Sequence, residues 1–136
     1  MGEIHEFLLQ HLSYDGKGTV LDIGCGAGAL TIRCAKHYPE AELVGMDYWG
    51  KKWNYAKEQC VANAETEGVA DRCRFEKGDA AKLSYADESF DVAISNFVFH
   101  EVRTASDKRD VVREALRVIK PGGSFAFQDM FGQQKL

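Results

Sequence analysis

The chain has few basic residues in sequence: no run of Lys or Arg exceeds two, and 17 basic against 21 acidic residues leave a net charge of -4. A nucleic-acid binder would show a basic stripe, so a DNA partner is not expected. No segment approaches the roughly 20 apolar residues that span a bilayer, and no signal peptide opens the chain. The expectation is a soluble, cytoplasmic protein with no membrane segment. The four cysteines, Cys25, Cys34, Cys60 and Cys73, form no C-x-x-C pair, and the histidines do not cluster. Zinc-site spacing is therefore missing, and a disulfide framework is not expected in a chain with this much core. The cysteines read as reduced, small hydrophobes, and no metal is expected. There is no internal repeat, low-complexity tract or linker, so residues 1–136 read as one domain. Residues 1–17 would form an N-terminal helix and turn, 18–131 the core and 132–136 a tail.

What is present is a regular alternation of strand and helix signals. Ile4, Phe7, Leu8, His11 and Leu12 make an apolar stripe at helical spacing, closed by the turn-forming "YDGKG". "TVLDIG" reads as a buried strand, followed by a helix from about Ala29 to Tyr38 that Pro39 stops. "AELVGMD" is a second strand. A long helix runs from about Gly50 to Glu67, with Trp53, Ala56, Cys60 and Ala64 inward and Gly68 as its stop. "RCRFEKGD" is a third strand and "FDVAISN" a fourth, apolar enough to be central in a parallel sheet. A helix capped by Ser106 or Thr104 buries Val111, Val112, Ala115, Leu116 and Ile119. "PGG" ends it, and "SFAFQDMF" is the fifth strand. The alternation predicts an α/β fold: a Rossmann-like, doubly wound, mostly parallel sheet of about five strands with helices on both faces.

In such a sheet, ligands bind beyond the carboxyl ends of the strands, where the strand order reverses. The first strand ends in "VLDIGCGAG", with glycines at 24, 26 and 28. Glycines permit a sharp turn and a close approach of ligand to backbone, and the next helix offers free N–H groups. A phosphate-binding P-loop is excluded because Ala29, Leu30 and Thr31 stand where Gly-Lys-Ser/Thr is required. The dinucleotide pattern G-x-G-x-x-G/A is satisfied by Gly24, Gly26 and Ala29, with Asp47 as the acidic residue further on, so that reading stays open. Asp22 would repel a pyrophosphate and welcome an ammonium or sulfonium. Asp79, at the end of the third strand, could accept from a nucleoside amino group.

The stretches "VLDIGCGAGALT", "LVGMD", "FEKGDAAKL", "FDVAISNFVFHEV" and "EALRVIKPGGSFAFQDMF" resemble, in order and spacing, the successive motifs of class I S-adenosylmethionine (SAM)-dependent methyltransferases. The UbiE-like small-molecule enzymes are the nearest type, and the resemblance spans Val20 to Phe131. It implies that Asp22, Gly24, Cys25, Gly26 and Gly28 hold the methionine part of SAM. It implies that Asp47 accepts both ribose hydroxyls, that Tyr48 flanks the adenine, and that Asp79 accepts from the adenine amino group beside the Ala80 backbone. Ser95, Asn96 and Phe97 would border the reacting methyl. The implied reaction is in-line displacement onto a small-molecule acceptor, with positioning supplying much of the rate.

His100 is the candidate general base for acceptors that must lose a proton. His5, His11 and His37 read as surface residues and the Lys51-Lys52 pair as a solvated helix start. The family's sheet has seven strands, and two are missing after the fifth, so the chain reads as a fragment, a minimal variant or one completed by a partner. An uncovered edge makes a homodimer an expected partner. The rival readings are a SAM-binding module with little activity alone and a NAD-dependent oxidoreductase.

Overall fold

The computed structural model describes residues 15–96 and 108–128. In chain order these form β1 (Lys17–Ile23), α1 (Ala29–His37), β2 (Glu40–Asp47), α2 (Trp53–Thr66), β3 (Cys73–Lys77), β4 (Phe90–Asn96), α3 (Lys108–Val118) and β5 (Ile119–Gln128). The strands form one parallel sheet in the order β3-β2-β1-β4-β5. The chain builds outward from β1 through β2 to β3, then returns to lay β4 on the other side of β1. The order therefore reverses between β1 and β4, which is where a doubly wound sheet opens a crevice at its carboxyl edge.

Successive residues of a strand face opposite sides of the sheet, and here both sides are covered. On one side Val20, Leu43, Phe75, Val92 and Ile94 pack against Leu30, Cys34 and Ala35 of α1 and Cys60 and Ala64 of α2. On the other, Leu21, Ile23, Val44, Met46 and Ala93 pack against Val111, Ala115 and Val118 of α3. Val20, Leu21 and Ile23 are fully buried, each such side chain being worth about 1.5–3 kcal/mol over its exposed state. This near-continuous burial of β1 is why the sequence reads there as an unbroken apolar run, interrupted by Asp22.

Most boundaries shift by one or two residues from the sequence expectation, and three differ for a structural reason. The helix expected from Gly50 begins as a single 3-10 turn, Gly50–Lys52, and becomes α-helical at Trp53. Trp49 and Gly50 both carry positive φ, 55° and 68°, and two left-handed residues in succession cannot start an α-helix. "PGG" does not separate helix from strand either. α3 ends at Val118, Ile119 already pairs with Phe90, and the prolyl-glycyl segment is an irregularity inside β5, with a register shift between Phe90 and Val92. A Cβ on Gly123 would lie 2.5 Å from the Asp91 carbonyl oxygen, so the glycine allows the two strands to close there. Arg72, expected at the start of the third strand, lies in a 3-10 turn, Ala70–Arg72, before it. The expected helix at residues 3–13, the Ser106 and Thr104 caps, and the last residues of the fifth strand fall outside the described residues.

Candidate cofactor site

The glycine loop hangs from the end of β2. The N–H groups of Gly24 and Cys25 both donate to the Met46 carbonyl, at 2.8 and 2.9 Å, and Gly28 N–H closes a turn onto the Cys25 carbonyl at 2.8 Å. Two of the glycines serve different ends. A Cβ on Gly28 (φ 89°) would sit 3.1 Å from the Phe75 ring, so this glycine lets the start of α1 close on β3. A Cβ on Gly26 (φ 56°) would meet nothing within 4 Å, so this glycine leaves space open on the exposed side of the loop. Ligand can approach the backbone there.

Asp47 ends β2 and spans the loop. One carboxylate oxygen accepts from Gly26 N–H at 2.8 Å and the other from Trp49 N–H at 3.0 Å. An ionised carboxylate offers about four acceptor sites, so roughly half stay uncommitted among the described residues. That is enough for a vicinal diol, and the fit to a ribose stands on this arithmetic. Gly78 N–H donates to the Asp47 carbonyl at 3.0 Å, drawing the end of β3 alongside. Tyr48 is 60% exposed, with the Lys77 ammonium 5.0 Å from its ring centroid, so its ring is presented at the surface beside Asp47.

Asp22 lies beneath the loop, not on its open face: it is 1% exposed and accepts from the Thr31 hydroxyl at 2.6 Å. Burial raises its pKa from 3.8 to about 7; the Thr31 hydrogen bond opposes the rise and the Asp47 charge adds to it. It is the only carboxylate of the described residues in the buried set, and it sits where a cation above the loop would favour its charged form. Cys25 is also buried, and contact with the Cys60 thiol together with burial pushes its own thiol pKa up, so it stays protonated. The Asp79 carboxylate accepts from Ala81 N–H at 2.9 Å and its carbonyl from Lys82 N–H at 3.0 Å, so this residue shapes the turn after β3. The Ala80 side chain belongs to the core on the α3 side. Ser95 is buried, and its hydroxyl donates to the Ile23 carbonyl at 2.9 Å, tying β4 to β1 at the point of reversal. Asn96 is the last residue of β4, paired with Gln128 of β5. Phe97 and His100 lie outside the described residues.

The structure thus brings Gly24, Cys25, Gly26, Gly28, Asp47 and Tyr48 to one edge, with Asn96 ending β4 and Asp79 in the turn two residues past the end of β3, where the sequence reading places it within the strand. Sequence reading missed the polar contacts that hold the loop from outside. The Trp49 indole N–H donates to the Gly26 carbonyl at 2.8 Å, the Cys60 thiol to the same oxygen at 3.1 Å, and the Asn63 amide to the Ala27 carbonyl at 3.2 Å. Helical spacing does bring Cys60 and Asn63 close together on α2, but a cysteine and an asparagine there carry no motif that announces a contact with a loop more than thirty residues away. Among the described residues no group of three or more His, Cys, Asp or Glu could hold a metal ion.

A family model described as a methyltransferase domain matches residues 15–136. The chain is 34% identical over 122 residues to the sterol 24-C-methyltransferase erg6 of Aspergillus fumigatus, covering 89% of this chain and 30% of that one. It is 37% identical over 126 residues to an arsenite methyltransferase of Aquipseudomonas alcaligenes, covering 86% of this chain and 34% of that one. The crystal structure of the YcgJ protein from Bacillus subtilis superposes with a TM-score of 0.80 at 29% identity, over 95% of this chain and 51% of that one. The chain therefore spans about a third of the length of these two curated relatives. Five parallel strands in this order, a glycine loop leaning on an acidic strand end, and a family match over nearly the whole chain place it in one family: the class I, SAM-dependent methyltransferases.

Proposed function

We propose that this chain transfers a methyl group from SAM to a small-molecule acceptor. The observation that carries the reading is the Asp47 carboxylate, which braces the glycine loop through Gly26 and keeps acceptor capacity for a ribose diol. SAM, when bound, supplies a methyl on a sulfonium, open to in-line displacement by the acceptor. The chain's own residues bind and orient. Asp47 takes the ribose and Tyr48 flanks the adenine. The open face of the loop Gly24, Cys25, Gly26 and Gly28 packs against the methionine part, and Asp22 beneath them supplies negative charge. Asp79, with the Ala80 backbone, faces the adenine edge, and Asn96 borders the methyl. His100 is the candidate base for acceptors that must lose a proton. The small-molecule class is supported by the relatives' names, which specify a sterol and arsenite. The acidic net charge argues against DNA. No helix among the described residues is long and apolar enough to cross a membrane, which accords with a cytoplasmic site of action. The whole chain acts as one domain, and its sheet edge offers a surface for a second copy.

Calorimetric titration with SAM and S-adenosylhomocysteine tests the site. Gly26→Val places a branched side chain in the open space at the loop and on a backbone of positive φ, so binding of both should disappear, and the thermal midpoint should fall as well. Unchanged binding in that variant would refute the backbone approach. Binding of SAM by the parent, with no conversion of SAM to S-adenosylhomocysteine in the presence of any acceptor in a panel of thiols, hydroxyls and carbon acids, would reduce the chain to a binding module.

A further inference from the structure

Asp47, Gly26 and Trp49 close a ring of three hydrogen bonds. Gly26 N–H donates to one Asp47 oxygen, the Trp49 backbone N–H donates to the other, and the Trp49 indole N–H returns to the Gly26 carbonyl, at 2.8, 3.0 and 2.8 Å. Every polar group of the Gly26 residue is thereby committed. The carbonyl takes two thiol donors besides, Cys60 at 3.1 Å and Cys25 at 3.9 Å. The ring depends on an uncommon backbone state. Trp49 has φ 55°, a region that bulky L-residues rarely enter, and strain of this kind persists only where the surroundings over-determine it. Here the surroundings are the two bonds that Trp49 makes at once, one with its main chain and one with its ring, together with packing against the core that α1 and α2 cover. A side chain without an indole N–H could occupy the same space but could not close the ring.

We infer that Trp49 is a positioning residue for the cofactor: its indole holds Gly26 by the carbonyl, so that the N–H of the same residue stays aimed at Asp47 and the carboxylate keeps the orientation that presents its spare acceptor sites to the ribose diol. The inference rests on the cofactor reading above and deepens it. With the indole bond removed, the Gly26 peptide loses its stronger anchor. The carboxylate then loses a fixed partner on one oxygen and turns on its own torsion. The Gly26 carbonyl is then held only by the weaker thiol donors of Cys60 and Cys25, while Asn63 still holds the neighbouring Ala27 carbonyl. The consequence is a loss of affinity for nucleoside-bearing ligands without a comparable loss of fold stability, because the ring of Trp49 still packs when the nitrogen is gone.

The test compares the parent 136-residue chain, Trp49→Phe, Asp47→Asn and the double variant, titrated calorimetrically with S-adenosylhomocysteine and melted without ligand. The expected result is a loss of tenfold or more for Trp49→Phe in the parent background and less than twofold in the Asp47→Asn background, with thermal midpoints that differ by the same small amount in both. Equal factors in the two backgrounds would overturn the inference, since a purely structural indole would act independently of Asp47. Undiminished binding by Trp49→Phe alone would do the same. If the parent itself fails to bind S-adenosylhomocysteine, the cofactor reading falls, and this inference with it. A second readout does not depend on how the variants fold. The chain has two tryptophans, so the parent's proton–nitrogen spectrum shows two indole resonances, and the one missing from Trp49→Phe belongs to Trp49. That resonance should be protected from hydrogen exchange and should shift on addition of S-adenosylhomocysteine. An unprotected indole that does not respond to ligand would overturn the inference.

Discussion

At the amino end of the sheet, Arg72 donates to the carbonyls of Ala35, Tyr38 and Ala41, at 2.9, 3.2 and 2.8 Å, and so ties the end of α1 and the start of β2 to the approach to β3. Arg117 does the same for the other half, donating to the carbonyls of Leu83 and Tyr85 while Glu114 accepts from both Arg117 and Leu83 N–H. Asp91 accepts from Thr19 N–H and faces Lys120. At the carboxyl end the loop is held by a different class of contact: an indole, a thiol, an amide, and one carboxylate with acceptor sites to spare. The buried Asp22 and the left-handed Trp49 both lie there. One end saturates its carbonyls with cations and is built to stay put. The other keeps strain, unspent acceptors and a buried charge, features that cost stability and that a ligand can use.

That contrast can be broken most sharply at Asp22. Its folded pKa, about 7, lies above its unfolded value of 3.8, so its contribution to stability is fully present below about pH 4 and is lost as the pH rises through 7. The whole elevation corresponds to about 4 kcal/mol. Denaturation of the parent should therefore show a loss of that order between pH 4 and 8 from this group. Asp22→Asn, whose amide oxygen still accepts from Thr31, should flatten the profile and exceed the parent at pH 8. If parent and variant fall in parallel with pH, Asp22 is not the buried charge of the carboxyl end. Arg72→Ala tests the opposite end and should have the opposite sign. Three carbonyls lose a charged donor, for a loss of about 3 kcal/mol in denaturant midpoints, with S-adenosylhomocysteine affinity unchanged. A variant as stable as the parent would remove the amino end's claim to be the structural one. The smallest effect on stability and the clearest on ligand is expected of Asp47→Ala. SAM binding should weaken more than tenfold, at least about 1.4 kcal/mol, while the melting temperature moves little. Equal affinity in calorimetry would remove the ribose assignment.

The strands were legible because each carries its own signal in its own residues. "FDVAISN" is β4 to the residue, and "AELVGMD" lacks only Glu40 at its start. The elements misplaced were those whose boundary is set by another part of the chain. Nothing local to "KPGG" shows that Gly123 must pass so near Asp91 that a Cβ would not fit, and so the segment reads as a break when it is a strand irregularity. At the site the acidic strand ends and glycines stand out by type and spacing. The depth of Asp22 does not, because an aspartate before a glycine turn looks the same whether it faces out or lies under Thr31. Trp49 was legible as an aromatic at a strand end and no more. Its bond to Gly26 joins residues more than twenty positions apart, and its left-handed backbone has no sequence signature outside glycine and asparagine.

Phe75 has a consequence of another kind, for the order in which this sequence can drift. Its ring lies 3.1 Å from where a Cβ on Gly28 would be and 2.9 Å from one on Gly45, which the Thr31 hydroxyl and the Cys25 Cβ would also crowd, at 3.0 and 3.1 Å. Gly28 is confined to glycine by its positive φ whatever surrounds it. Gly45 is confined by its neighbours alone. A lineage can therefore enlarge position 45 only after positions 75, 31 and 25 have together made room, because the reverse order passes through an overpacked intermediate. An aromatic ring, a hydroxyl and a cysteine thereby set a direction on the evolutionary path of one glycine.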